Sequence, residues 1–106
     1  MAWVYLVAAG ILEVVWAYAM KQSHGFTRVG PTALMAVAMI GSFSLLALAM
    51  RTLPLGTAYT VWTGIGAVGA FLVGIMLLGE AVSPMRVAAA GLIAVGLVMM
   101  KLSSAA

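Results

Sequence analysis

Long apolar runs alternate with short polar breaks along this chain, and the breaks divide it into four segments, residues 3–20, 31–50, 54–79 and 84–100. Each run is close to the roughly 20 apolar residues that carry a helix across about 30 Å of hydrocarbon. Pro31, Pro54 and Pro84 stand where segments open, and a first helical turn is where a missing N–H and a fixed φ cost least. Ser83 is placed to cap the fourth helix. The connections 21–30, 51–53 and 79–83 are short, so consecutive helices are expected to run antiparallel as neighbours. The predicted fold is therefore all-α and integral to the membrane, a single four-helix domain over residues 1–106 with up-down-up-down topology.

Composition agrees, since 66% of the 106 residues are hydrophobic and 7% charged, more apolar surface than a soluble domain of this size can bury. The five basic residues, Lys21, Arg28, Arg51, Arg86 and Lys101, are scattered singly. They read as headgroup anchors and form no nucleic-acid patch. The chain has no cysteine, which excludes disulfides and thiolate chemistry. No cluster of metal ligands, nucleophile–base pair or cofactor motif appears, so neither a metal, a cofactor nor an enzyme is expected. His24 falls in a loop and reads as solvated. The first segment lacks a basic leader and is interrupted by Glu13, so it is expected to stay in the mature protein.

Loop charge sets orientation in a bilayer. Lys21, Arg28 and Arg86 fall on one side, Arg51 and Lys101 on the other. So slight a bias suits insertion in both orientations, and two opposed copies would then share a two-fold axis in the membrane plane. Four thin helices cannot enclose a solute path alone. The small residues of the last segment, Ala89, Gly91 and Gly96 among them, are therefore assigned to a dimer interface.

Glu13 is the one charged residue away from segment ends and loops. It lies roughly 16 Å beyond Ala2 and about 10 Å from Met20 at about 1.5 Å per residue. A carboxylate at that depth costs a few kcal/mol and marks a substrate path, or else a protonated group joining two helices. If a cation binds its ionised form, protons abolish that form, so cation and proton compete and one alternating-access site suffices for exchange. Trp16, three residues on, shares the face of Glu13 and carries an N–H donor. Tyr59 and Trp62 are also three apart and offer aromatic faces with two more donors; packing is the competing reading. Ser42 is deep enough to meet Glu13 across the bundle, or to bond its own helix backbone.

The stretch Gly64, Gly66, Gly69 matches the spacing G-x-G-x-x-G. It lies inside an apolar segment without a strand-to-helix turn, so it is no dinucleotide site. Gly64 and Gly66 read as a helix 3 hinge or as packing glycines.

Taken together, Gly10-Ile-Leu-Glu13-Val-Val-Trp16-Ala, His24-Gly25-Phe26-Thr27-Arg28 and the run from Leu53 to Gly66 resemble the small multidrug resistance family over essentially the whole chain. Trp16 and Lys101 match its guanidinium-exporting branch. That resemblance implies an antiparallel, dual-topology homodimer in the bacterial inner membrane, exporting guanidinium against proton import. It places cation and protons on Glu13 of both subunits, completes the site with Trp16, Ser42, Tyr59 and Trp62, and bends helix 3 at Gly64 and Gly66. Thr60 departs from the branch, which commonly has alanine there, and would alter the site rim beside Tyr59. Pairing with a related second chain is the alternative assembly. Donor-rich walls favour a forked guanidinium or substituted guanidine over a quaternary ammonium, which relies on aromatic faces. A broad quaternary-ammonium or multidrug exporter is thus the alternative function, and a structural or regulatory membrane subunit the second.

Overall fold

The computed structural model describes residues 1–103, which form helices α1 (Ala2–Gln22), α2 (Val29–Ala49), α3 (Leu55–Leu78) and α4 (Pro84–Ser103). The expected single domain extends to residue 106, and residues 104–106 lie outside the described part. All four helices are long and apolar enough to cross a membrane, and no strand occurs among the described residues. Segment ends differ from expectation by at most three residues, and the start of α4 at Pro84 agrees. α1 runs on through Lys21, α2 opens two residues before Pro31, and α4 continues past Lys101.

Local chemistry sets these ends. The Ser83 hydroxyl accepts from the Arg86 N–H at 3.1 Å, capping α4, and the Val87 N–H donates to the Ser83 carbonyl at 3.0 Å. α3 stops at Gly79, whose φ of 67° is left-handed, and the Glu80 N–H then donates back to the Gly74 carbonyl at 3.0 Å. Buried Ser23 ends α1 by donating its hydroxyl to the Met20 carbonyl at 2.7 Å while accepting the Phe26 N–H at 3.1 Å. His24 is exposed in the following loop, as expected.

The expectation that every consecutive pair packs side by side needs correction. α1 is central and packs on both α2 and α3, whereas α2 and α3 barely meet and α4 packs on α3 alone. A short loop fixes how far a helix can stray but not which side of its neighbour it occupies. The core, Leu6, Ala9, Leu46, Ala49, Ala58, Val61 and Trp62, accordingly gathers around α1.

On α3 a stripe of small residues faces α1. A Cβ at Gly66 would strike Glu13, and one at Gly69 would strike Val14. On α1, a Cβ at Gly10 would lie 2.6 Å from Ile65 Cγ2. These glycines bring the two backbones close enough to seat α1 side chains on bare α3 backbone, the small-residue packing that joins helices in lipid. Gly64 instead admits Leu97 of α4. α3 is continuous from Leu55 to Leu78 through both Gly64 and Gly66.

The whole is a slab of 44 × 34 × 16 Å. Since one helix with side chains is about 10–12 Å across, so thin a slab cannot surround a solute. No residue of α4 is buried. At its ends the Arg86 guanidinium lies 5.5 Å above the Phe71 ring of α3 and Lys101 Nζ 4.7 Å above the Trp3 ring of α1.

Candidate functional site

Glu13 sits midway along α1 with its carboxyl group on the bare backbone of Gly66. Its Oε1 is buried and accepts no hydrogen bond within the described chain, and the same holds for the N–H at Trp16 Nε1, which has no acceptor. The Trp16 donor thus makes no bond to Glu13, although the two residues are three apart on α1. Each orphaned buried polar group costs about 1–3 kcal/mol. The unsatisfied carboxylate oxygen is suited to a ligand that brings N–H donors, whereas the Trp16 N–H, a donor itself, calls for an acceptor.

Ser42 does reach across the bundle, but one turn before Glu13. Its hydroxyl donates to the Ala9 carbonyl of α1 at 2.7 Å and accepts the Trp62 indole N–H at 3.0 Å. The alternative of a bond to its own helix is overturned, because the Ala9 carbonyl of α1 takes its proton. This relay ties α1, α2 and α3 together at one level and locks the plane of the buried Trp62 ring.

Tyr59 lies 5.5 Å from Trp62 between ring centroids, as their spacing suggests, yet it is half-exposed. Phe43, overlooked in the sequence, stands edge-on to both tryptophans, 6.4 Å from Trp16 and 5.7 Å from Trp62, in contacts worth about 0.5–1.5 kcal/mol each. Its position beside Ser42 was the only available signal, and an isolated phenylalanine in an apolar run carries little. Glu13, Trp16, Ser42, Trp62 and Tyr59 therefore fall in one aromatic-walled region built from α1, α2 and α3, with Phe43 bridging it.

Thr60 follows Tyr59 on α3. It lines a groove of about 770 Å³ between α3 and α4, together with Tyr59, Thr63, Gly96, Leu97 and Met100. Ala89 and Gly91 are exposed on α4, and a Cβ at Gly91 or Gly96 would meet no atom within 4 Å.

Replacing Ser42 with alanine strands the Trp62 N–H and removes the cross-helix bond to the Ala9 carbonyl, which keeps its own helical donor. Ser42→Ala is expected to lower stability by about 1–3 kcal/mol, read as an earlier thermal transition in detergent. Ser42→Thr, which keeps the hydroxyl, should retain more of that stability.

Comparison with known proteins bears on what such a site serves. Residues 1–93 match the family described as Small Multidrug Resistance protein. The chain is 57% identical over 104 residues to proteins named guanidinium exporter from Escherichia coli K12, Citrobacter freundii and Salmonella typhimurium, covering 98% of this chain and 99% of each of them. With its four membrane-length helices it is a multi-pass protein of the bacterial inner membrane. A match over nearly the full length, carried by the helices that build the Glu13 region, places this chain in the small multidrug resistance family of transporters.

Proposed function

We propose that the chain exports guanidinium and small guanidinyl cations in exchange for protons, as an antiparallel homodimer. The observation that carries this reading is the buried, unpartnered Oε1 of Glu13, flanked by the unpartnered Trp16 N–H and the fixed Trp62 ring. A planar guanidinium offers paired N–H donors in a fork that suits a carboxylate, and its faces stack on indole rings. The relatives named guanidinium exporter support the same cation.

Coupling follows from chemistry at one group. Glu13 holds either the cation or a proton, because protonation removes the negative charge and places a hydrogen on the acceptor. Alternating exposure of a site that is never left charged and empty moves one species outward for the other inward. No bond is made or broken in the cargo, so the work is transport and not catalysis.

A second copy supplies what one chain lacks. The slab is too thin to enclose a solute, and α4 presents Ala89, Gly91 and the groove at Gly96 uncovered. Nearly balanced loop charge supports opposed insertion of the two copies. Bending of α3 near Gly64 and Gly66 would shift Leu97 and Glu13, the side chains seated on them, and so link site exposure to packing.

The test is proton movement driven by a guanidinium gradient in vesicles containing the purified protein. Flux with guanidinium supports the proposal. Flux with tetraalkylammonium and none with guanidinium would instead mark a broad quaternary-ammonium exporter, and no flux with either would mark a structural subunit.

A further inference from the structure

The second carboxylate of the chain, Glu80, has no part in the Glu13 region. It follows Gly79 at the end of α3, and its side chain folds back onto Gly74, where a Cβ would strike its carboxylate. That fold-back puts Glu80 on the wall of a groove of about 190 Å³ between α1 and α3, shared with Val14, Tyr18, Lys21, Ala70 and Gly74. Along α1 the groove runs from Val14, the residue after Glu13, to Lys21 about two turns away at the bundle end, and Glu13 itself is not on its wall. Val14 seated on Gly69 separates the two compartments.

The electrostatics of the mouth are unusual. A helix C-terminus already carries partial negative charge, and α3 has no basic residue in its last turn. Glu80 adds a full negative charge there. Arg86 donates to the carbonyl of Ala81, the residue next to Glu80, at 2.9 Å and lies over Phe71, so its guanidinium is close to the mouth but engaged by these partners. The one cation on the groove wall is Lys21, a flexible ammonium that an incoming cation can displace.

On the reading of Glu13 as the transport carboxylate, on which this step rests, we infer that Glu80 forms an outer cation subsite at the mouth of the α1–α3 groove, which collects guanidinium-type cations ahead of Glu13. Glu80 and the carbonyl end of α3 attract the cation, Tyr18 gives it an aromatic and hydroxyl-bearing wall, and Lys21 competes with it for Glu80. The subsite works through local concentration and sets apparent affinity, not the maximal rate.

Guanidinium-driven proton flux in vesicles distinguishes this role from a structural one through its dependence on guanidinium concentration and salt. Glu80→Gln is expected to raise KM about threefold or more at low ionic strength, the scale of one exposed charge pair, with the maximal rate within about twofold. The difference should close near 0.5 M salt, where screening lengths fall to about 4 Å. Gly74→Ala retains the charge but pushes the Glu80 carboxylate out of the groove, and should raise KM similarly. Lys21→Gln should lower it. An unchanged KM in Glu80→Gln, or a loss of maximal rate that salt does not alter, overturns the subsite alone. Absence of flux in native vesicles overturns the transport reading and the subsite with it.

Discussion

Vesicles containing Glu13→Gln are expected to show no guanidinium-driven proton flux, although the variant inserts and folds. Glutamine keeps the shape and one acceptor oxygen, so its seat on Gly66 and the packing around it survive. What disappears is the charge. Removing one partner from a desolvated charge pair costs about 3–5 kcal/mol, about two to four orders of magnitude in affinity. Proton exchange disappears as well, since the amide does not titrate. Glu13→Asp keeps the charge but withdraws it by one methylene, so it should transport at a reduced rate. Full flux in Glu13→Gln would remove Glu13 from the mechanism.

The second large effect is expected from the smallest change. Gly66→Ala adds one methyl group, and it lands on the carboxyl group of Glu13, with Cγ 2.9 Å away. Because the obstructed atoms end a flexible side chain, the helices need not separate. Glu13 swings aside instead, and a misplacement of about 1 Å at a reacting or binding group can cost about a hundredfold. Transport should therefore fall by at least about tenfold while the thermal transition moves by only a few degrees. Gly69→Ala is the control, because its methyl group would press on Val14 and not on the carboxylate. It should disturb α1–α3 packing more and guanidinium binding less. Equal transport by Gly66→Ala and the native chain would show that Glu13 acts from some other position.

These residues also show how far the sequence could be read. The four spans and their breaks were legible because bilayer thickness sets segment length, and proline, glycine and Ser83 mark ends by their backbone chemistry. Glu13 was legible because a charge at mid-membrane is costly. The packing order was not. α1, α2 and α3 are apolar around most of their circumference, and since lipid is as apolar as a neighbouring helix, hydropathy does not say which face turns inward. Hence the separation of α2 from α3, and the pairing of Ser42 with Ala9 and Trp62, emerged only in three dimensions. Gly64 and Gly66 were legible as a hinge or as packing glycines, but what they pack against was not, since only the structure shows that Gly66, like Gly74, seats a carboxylate. Phe43 was hidden because nothing distinguishes a site phenylalanine from a lipid-facing one in a single sequence.

Competition between guanidinium and the proton at Glu13 is tested most directly by proton release on binding. Guanidinium is added to the detergent-solubilised native protein in weak buffer, and the pH change is measured across a range of starting pH. Protons should be released on binding, guanidinium should bind more weakly as the starting pH falls, and Glu13→Gln should release none. Guanidinium binding that releases no proton from the native protein, with an affinity unchanged across pH, would contradict a shared site.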